Sequence, residues 1–239
     1  MKGKTCVVTG ANSGIGKATA VGLAKKGAEI VMVCRNRERG EAALTEIREA
    51  SGSDDVSLMI ADLASFQSIR RFGAEFAQRY SSLDVLVNNA GLYVANRRES
   101  EDGHEMSFAV NHLGTYLITL LLMPQLKAAP SSRIVVVSSQ AHLAGRNTVG
   151  SAERSVYQGL LAYADAKLAN IMFTYELARR CEGTGVTVNC LHPGVVRTGF
   201  GQDDPGAFNF LVKLTKIFFS SPESGARASL YLASDPGAE

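Results

Sequence analysis

The chain has 239 residues, of which 46% are hydrophobic and 20% are charged. This length and composition can build the core of one large α/β domain or of two small ones. There are 25 Lys and Arg residues against 23 Asp and Glu residues, so the formal net charge is +2. This balance excludes an acidic tail and gives no global charge that favours nucleic acid. Trp is absent and aromatic residues make up only 7%, which argues against a stacking platform for single-stranded nucleic acid.

Cysteine usage and hydropathy indicate a compartment. The four cysteines lie far apart in sequence and form no CxxC motif, which favours free core thiols over disulfides or a zinc site. The N-terminal residues lead directly into a short strand without the apolar region of a signal peptide. The longest apolar run, over residues 117–124, is too short to span a bilayer. We therefore expect a cytoplasmic protein without a transmembrane segment. The cysteines are Cys6, Cys34, Cys181 and Cys190.

Short apolar runs alternate along the chain with longer helical patterns. The runs are continuous, as is typical of parallel strands covered on both faces, and right-handed crossovers between such strands need helices. The pattern predicts an α/β fold with a doubly wound parallel sheet in a single domain over residues 1–239. The predicted strands are Thr5–Val8, Glu29–Cys34, Val56–Ile60, Val85–Val87, Arg133–Val137 and Val186–Leu191, and the predicted helices lie near residues 14–26, 38–50, 65–79, 105–127 and 159–182.

A glycine-rich loop follows the first predicted strand and opens the first helix. Its residues are Thr9-Gly10-Ala-Asn-Ser-Gly14-Ile-Gly16. The glycines allow a tight turn, and the helix that follows offers unpaired N–H groups to a pyrophosphate. The alternative is a turn without a ligand, but the position after an N-terminal strand favours a nucleotide. The spacing differs from GxGxxG, and no Gly-Lys-Ser/Thr follows that would make it a Walker loop.

This loop resembles the nucleotide loop of short-chain dehydrogenases/reductases. Other motifs of that family follow in its order, so that the resemblance covers nearly the whole chain and implies a Rossmann-type fold. Three further residue patterns resemble those of the retinol dehydrogenase-like and protochlorophyllide reductase-like branch. They are Cys34-Arg35-Asn36, Asn111-His-Leu-Gly and Lys167-Leu-Ala-Asn. Because family members usually continue into a further strand, we expect six strands here, with the last C-terminal strand lacking. The motifs are Asp62-Leu63, Asn88-Asn89-Ala90-Gly91, Asn111, Ser138-Ser139, Tyr163-Ala-Asp-Ala-Lys167 and Pro193-Gly194.

The resemblance implies a nicotinamide dinucleotide, and the second strand predicts which one. That strand ends in Arg35-Asn36-Arg37, without the acid that binds a ribose 2′-OH. A guanidinium at Arg35 suits a 2′-phosphate, so NADP(H) is expected. The alternative is that these arginines are solvated and pair with Glu38 and Glu41. The implied cofactor residues are Gly10, Asn12, Ser13, Gly14, Ile15, Gly16, Arg35, Asn36, Asp62, Leu63, Asn89, Ala90, Gly91, Tyr163, Lys167, Pro193, Gly194, Val195, Val196 and Thr198.

A tyrosine and a lysine are spaced to share one helix face. Tyr163 and Lys167 stand at i and i+4, and a neighbouring ammonium lowers the pKa of a phenol. Where no other motif accompanies it, such a pair usually lies on the solvent-exposed face of a helix. The resemblance implies that Tyr163 donates or accepts the proton, that Lys167 reaches the nicotinamide ribose, and that Ser139 binds the substrate oxygen. It also implies that Asn111 holds a water of a proton relay. The sequence does not separate Ser139 from Ser138, which we expect to be a backbone-capping hydroxyl.

The sequence shows no hydrolase or metal motif. Neither GxSxG nor HExxH is present, and the four histidines lack metal-ligand spacing. His142 follows the predicted active-site serine, so it either touches substrate or is a satisfied loop histidine. No metal is expected.

The substrate end is predicted from the remaining apolar residues. We expect Val156, Tyr157 and Leu160 to border the pocket and residues of about 199–220 to form a variable lid. An apolar stripe in that lid predicts a core-facing helix, a cover for a lipophilic substrate, or a surface in peripheral contact with membrane. The stripe consists of Phe208, Phe210, Leu211, Leu214, Ile217 and Phe218.

These inferences predict an NADP(H)-dependent oxidoreductase that interconverts a carbonyl and an alcohol, with a small lipophilic molecule as substrate. The same motifs allow reduction of a C=C bond, and the fold allows a non-catalytic dinucleotide-binding protein. Family members often pair through the helices near residues 105–127 and 159–182. A homodimer or homotetramer is therefore expected.

Overall fold

One parallel sheet organises the chain. The computed structural model describes residues 1–146, 157–194 and 221–238. Within them, six parallel strands lie in the order β3-β2-β1-β4-β5-β6, which confirms the predicted Rossmann-type sheet and its six strands. The predicted lid and its apolar stripe lie outside the described residues. The strands are β1 (Thr5–Thr9), β2 (Glu29–Cys34), β3 (Val56–Ile60), β4 (Val85–Asn88), β5 (Ser132–Val137) and β6 (Val186–Leu191).

Helices connect the strands. Between α4 and α5 the chain makes a π-helical turn over Ala109–Leu113, which the uninterrupted helix predicted near 105–127 did not include. The apolar pattern is the same for both conformations, so it carries no signal for the turn. A short 3-10 helix over Gln140–Ala144 was also not predicted. The helices are α1 (Gly14–Lys25), α2 (Arg37–Ser51), α3 (Phe66–Arg79), α4 (Met106–Phe108), α5 (Gly114–Ala128), α6 (Gly159–Arg180) and α7 (Pro222–Ser234).

The strand order places a crevice at the end of β1 and β4. The chain winds outward from β1 to β3 and then crosses back to β4, which pairs with β1 on its other side. Val8 lies opposite Val87, so the two strands end at the same level. Ligands of open α/β sheets bind at such a switch point, beyond the carboxyl ends of the strands. The glycine loop after β1 and the Asn89–Gly91 turn after β4 therefore meet there.

Each face of the sheet is covered by helices. Successive strand residues point to opposite faces, so Val7 packs with α3 and α5 while Val8 packs with α1 and α2. Phe72 and Phe76 of α3 are fully buried, as is Leu23 of α1. Burial of each such side chain contributes roughly 1.5–3 kcal/mol. The two buried faces hold the strand ends, and hence the crevice, in a fixed position.

The helical stretch Met106–Ala128 is unusually apolar. Among the described residues it is the one helix long and apolar enough to cross a membrane, and half of its most apolar window is buried. Ile118, Leu122 and Leu126 are fully buried in the core that also contains α3. In this structure the stretch is a core helix that covers one face of the sheet.

Candidate active site

The glycine loop closes tightly on the end of β4. Gly10 and Gly14 have φ angles of 66° and 54°, a left-handed backbone that favours glycine. A Cβ at Gly16 would collide with the Asn89 side chain and with the Gly10 carbonyl. The first two glycines are therefore needed for the turn, and the third is needed for close approach to β4.

The amino-terminal end of α1 is open toward the crevice. Ser13 precedes the helix with an extended backbone, and its side chain makes no capping hydrogen bond. The first N–H groups of a helix have no partner within the helix and attract anions. This end of α1, with Asn12 half-buried and Ser13 exposed beside it, fits the diphosphate of a dinucleotide.

Thr9 and Asn89 fasten the glycine loop to the turn after β4. The Thr9 hydroxyl accepts from the backbone N–H groups of Asn89 and Ala90, each at 3.0 Å. The Asn89 amide donates to the Thr9 carbonyl at 2.9 Å. Asn89 is therefore a structural link of the site, and its partner is Thr9, which is not among the predicted cofactor residues. The signal was available, since Thr9 begins the glycine motif.

The end of β2 presents exposed positive charge. Arg35, Asn36 and Arg37 are all exposed. Asn36 caps α2, because its Oδ1 accepts from the Arg39 backbone at 2.8 Å. Arg37 lies 3.6 Å from Glu41, so for Arg37 the alternative of a solvated ion pair holds. Arg35 makes no ion pair with the described residues, which leaves its guanidinium available to a phosphate.

Asp62 and Leu63 follow β3 at the same edge of the sheet. The Asp62 carboxylate accepts from the Ala64 backbone at 2.9 Å. Leu63 is buried against the start of α5, where a Cβ at Gly114 would lie 2.6 Å from the Leu63 carbonyl. Asp62 is half-buried at this edge, so it borders the crevice, while Leu63 anchors the turn.

The lysine and the tyrosine share one face of α6, as predicted. Lys167 Nζ lies 5.5 Å from the centroid of the Tyr163 ring and donates to the Val137 carbonyl, at the end of β5, at 2.9 Å. Lys167 is only 3% exposed. Burial disfavours the ammonium form and lowers the pKa of Lys167 to about 8.

The two serines after β5 have different roles. Ser138 is buried, and its hydroxyl donates to the Lys167 carbonyl at 2.8 Å, which confirms the backbone role expected for it. Ser139 is half-buried, and its hydrogen bond with Tyr163 favours the ionised phenol. The structure thus places Ser139, and not Ser138, beside the phenol.

Burial decides the charge state of Tyr163. Its pKa is raised above the ordinary value by burial, and the hydrogen bond from Ser139 offsets this only in part. The prediction that the Lys167 ammonium brings a net lowering is therefore wrong. The physical reason is that Lys167 is itself buried and directs its ammonium to Val137. Tyr163 is consequently a neutral phenol near pH 7 and is able to donate a proton.

Asn111 lies in the π-helical turn and is completely buried. Its amide donates to the carbonyls of Leu92 and Ser107 at 2.8 and 2.7 Å, and its Oδ1 accepts from the Leu92 backbone at 3.1 Å. Its backbone carbonyl accepts from Thr115 and Asn170 at 3.0 and 2.9 Å. Asn111 therefore joins the turn after β4 to α5 and α6. Its implied role in a water relay stays a prediction.

Gly91 is the point at which these parts meet. A Cβ at Gly91 would lie 2.6 Å from Asn111 Oδ1 and 3.4 Å from Lys167 Nζ. The site therefore has no room for a side chain here. The three-residue turn after β4 thus touches both the π-helical turn and the lysine of α6.

Comparison with known proteins decides the family. A sequence model of the family "short chain dehydrogenase" matches residues 4–205. The chain belongs to the short-chain dehydrogenase family. It is similar to retinol dehydrogenase 14 of Homo sapiens, with 45% identity over 257 residues that cover 100% of this chain and 76% of the relative. This similarity confirms the retinol dehydrogenase-like resemblance.

Solved structures of the family share the fold. The Pseudomonas aeruginosa RhlG/NADP active-site complex has a TM-score of 0.79 and 25% identity, with 100% of this chain and 92% of that chain covered. A structure from Beutenbergia cavernae with bound NADP has a TM-score of 0.78 and 29% identity, with the same coverage. The sheet and its connections are thus those of the family.

Around the catalytic end of this short-chain dehydrogenase, several predicted residues have other roles. His142 Nδ1 lies 2.8 Å from the Ser139 carbonyl, which supports the alternative of a loop histidine bonded within its own turn. The Tyr157 hydroxyl faces the Val94 carbonyl and Glu105 at 3.1 and 2.9 Å. The hydroxyl is thus engaged within the protein, and the expected place of the half-buried Tyr157 at the border of the pocket stays a prediction.

Two large apolar side chains are exposed on the elements that carry Ser139 and Tyr163. Leu160 is 49% exposed at the start of α6, as expected for a residue that borders the pocket. Leu143 is 74% exposed in the 3-10 helix after Ser139 and was missed, because a lone Leu in a loop gives no pattern. Pro193 and Gly194 follow β6, where Gly194 has a φ of 78°. Val156, Val195, Val196 and Thr198 lie outside the described residues.

Two further findings delimit the site. In the described ranges no group of three or more His, Cys, Asp or Glu residues is placed to hold a metal ion, and the four cysteines are free. An open cavity of about 640 Å³ lies beside β6. It is lined by Ser132, Val186 and the carboxyl-terminal end of α6, so it lies at the opposite end of the strands from Tyr163.

Proposed function

We propose that this short-chain dehydrogenase interconverts a carbonyl and an alcohol by hydride transfer, with NADP(H) as cofactor and a lipophilic substrate. One observation carries the proposal. Ser139 interacts with the phenol of a half-buried, neutral Tyr163, and Lys167 Nζ lies 5.5 Å from the centroid of the same ring. A proton donor, an oxygen-binding hydroxyl and a cation are thus assembled beside the crevice in which a dinucleotide fits.

Three side chains of the chain have separate roles in the proposed reaction. A bound nicotinamide dinucleotide supplies or accepts the hydride. The Tyr163 hydroxyl gives a proton to the carbonyl oxygen during reduction and regains one during oxidation. Ser139 donates to the same oxygen and stabilises the charge that develops on it. Lys167 holds positive charge beside the phenol, and Val137 fixes its position.

The choice of NADP(H) is supported by the end of β2. Arg35 is exposed and has no ion-pair partner among the described residues, and no acid stands there to repel a 2′-phosphate. A guanidinium binds phosphate oxygens bidentately and stays charged. The relatives crystallised with NADP add support.

A lipophilic substrate is supported by two exposed apolar side chains. Leu143 and Leu160 expose large apolar side chains on the elements that carry Ser139 and Tyr163, and contact with a lipophilic substrate would remove them from water. The relative at 45% identity is named a retinol dehydrogenase. An apolar aldehyde or alcohol fits both observations.

Assembly and location follow as proposals. Tyr116, Leu120, Met172 and Tyr175 expose apolar surface on α5 and α6, which supports a homodimer or homotetramer formed through these helices. The free cysteines are consistent with a reducing compartment such as the cytoplasm. Light scattering at micromolar concentration tests the first, and a monomer contradicts it.

Cofactor oxidation over a panel of carbonyls tests the function. The panel contains straight-chain aldehydes of increasing length, ketones and enones, each with NADPH and NADH. We expect turnover with aldehydes or ketones and a kcat/KM that rises with chain length, since each buried methylene is worth ~0.8 kcal/mol. Products reduced only at the C=C bond, or NADPH binding without any turnover, contradict the proposal. A flat or falling trend with length contradicts the lipophilic pocket.

A further inference from the structure

A half-buried tyrosine, Tyr157, and a buried carboxylate, Glu105, form a polar pair outside the site described above. Glu105 is 4% exposed. Its Oε1 accepts from the Ser107 backbone at 2.9 Å and its Oε2 from the Phe108 backbone at 2.7 Å, so the carboxylate caps α4. The Tyr157 hydroxyl lies 2.9 Å from the same Oε1. A side chain just before α6 is thus bonded to the cap of the helical stretch that contains Asn111.

We propose that the Tyr157–Glu105 pair is a positioning device that sets the active-site end of α6 against the helical turn of Asn111. The proposal rests on the proposed function, since it assigns these residues to the same reaction. Neither residue touches the reacting atoms.

The pair connects the starts of the two helical segments that carry the active-site residues. Tyr163 and Lys167 lie on α6, which begins directly after Tyr157 and Gln158. Asn111 lies in the turn that follows α4. A shift between the starts of α4 and α6 therefore changes the spacing of Asn111 and Lys167, both of which contact the position of Gly91.

The segment 91–105 also packs against Tyr157 and the start of α6. The Val94 carbonyl lies 3.1 Å from the Tyr157 hydroxyl, and a Cβ at Gly159 would collide with that carbonyl. The same segment is fixed at its far end, where Asp102 accepts from the Phe66 backbone at 2.8 Å and Glu101 accepts from the Ser65 hydroxyl. The segment is therefore held at one end by the start of α3 and near the other end by Tyr157.

The phenol is suited to this task. Burial, together with the Glu105 charge, raises the pKa of Tyr157 well above its ordinary value, so the phenol keeps its proton at neutral pH. Hydrogen bonds to a charged partner in a buried place are stronger than neutral ones. The carboxylate also holds two backbone N–H groups, so its orientation is fixed.

The test is Tyr157→Phe, with Tyr231→Phe as the matched control, since Tyr231 lies on α7, apart from α4 and α6, and is 50% exposed. We expect kcat for an aldehyde to fall by about 10- to 100-fold, because small misplacement of catalytic groups has effects of this size. The KM for NADPH is expected to be unchanged. Amide exchange at Ser107 and Phe108 is expected to speed up, whereas a role in overall stability alone would speed exchange in every element and leave kcat of the folded fraction unchanged.

Two further measurements keep the outcome clear. Glu105→Gln retains the shape of the side chain, and combined with Tyr157→Phe it is expected to add little to the loss in kcat of the single variants. A wild-type kcat in folded Tyr157→Phe, or additive losses in the double variant, overturns the proposal. If the wild type turns over no carbonyl, the proposed function fails by itself; unchanged exchange at Ser107 and Phe108 in Tyr157→Phe would then overturn the positioning pair as well.

Discussion

The two halves of the crevice differ in how far their functional groups are exposed to solvent. On the side of β1 to β3, the groups offered to a cofactor are backbone N–H groups at α1 and exposed side chains such as Ser13 and Arg35. On the side of β4 to β6, Ser139 and Tyr163 are half-buried, and Asn111 and Lys167 are only 0% and 3% exposed. Exposed groups are changed with little effect on folding, whereas buried hydrogen-bonded groups contribute to both activity and stability. Substitutions in the two halves should therefore separate cofactor choice from catalysis.

The largest expected effect is that of Tyr163→Phe on the catalytic side. Loss of the proton donor should lower kcat by roughly 10²–10⁴-fold. Fluorescence titration with NADPH should give an unchanged Kd, because the phenol hydroxyl is not part of the phosphate-binding side. Tyr175→Phe, at an exposed position of the same helix, should keep wild-type kcat. A Tyr163→Phe enzyme that retains a tenth of the wild-type kcat would refute the assignment.

Gly91→Ala tests whether the buried side tolerates a single added methyl. A Cβ there lies 2.6 Å from Asn111 Oδ1 and 3.4 Å from Lys167 Nζ, so one of these groups has to move. We expect kcat to fall by about 10²-fold and the melting temperature to drop with it. Gly237→Ala is the control, since its Cβ would meet only the ends of flexible side chains. Wild-type kcat in Gly91→Ala would show that the two halves do not differ in this way.

Arg35→Asp tests the exposed side. Charge-assisted hydrogen bonds are worth ~1.5–3 kcal/mol each, so the wild type should prefer NADPH over NADH by at least about tenfold in kcat/KM. The Asp variant should lose or reverse this preference without a change in melting temperature. Arg71→Asp, the same charge change at an exposed position of α3, should leave the ratio as it is. Equal efficiency with both cofactors in the wild type would end the assignment.

The sequence predicted the sheet more fully than the site. Continuous apolar runs locate β2, β3 and β6 with their observed ends, since burial on both faces depends on composition alone. The motifs located Lys167 and Tyr163, because i, i+4 spacing is a local property. Which of Ser138 and Ser139 faces Tyr163 depends on how β5 meets α6, and only the structure settles it.

The errors have a common origin in tertiary contacts. The i, i+4 spacing predicts that Lys167 lowers the pKa of Tyr163, but desolvation of the phenol outweighs that effect. The sequence also carries no sign that the Tyr157 hydroxyl lies against Glu105 and Val94. The π-helical turn at Asn111 has no sequence pattern of its own. Desolvation and long-range hydrogen bonds are not readable from local spacing.

The smallest expected effect is the pH dependence that the buried lysine imposes. The pKa of Lys167 is lowered from 10.5 to about 8 by burial, whereas that of Tyr163 is raised. As pH rises through about 8, Lys167 loses its positive charge while Tyr163 keeps its proton. The kcat/KM for carbonyl reduction, which reports the free enzyme, should therefore fall by about twofold at pH 8 relative to pH 6 and more steeply above.

Stability should move in the opposite direction over the same window, which separates titration from unfolding. Between about pH 8 and 10.5 the unfolded chain binds a proton at this lysine that the folded chain does not, so the contribution of Lys167 to the free energy of unfolding rises with pH. Rates from pH 6 to 9, with urea unfolding at each pH, measure both. Arg71→Asp, which leaves α6 unchanged, should follow the wild-type profile. A kcat/KM that stays level to pH 9, or that falls only where the protein also loses stability, would show that the Lys167 charge does not govern the rate.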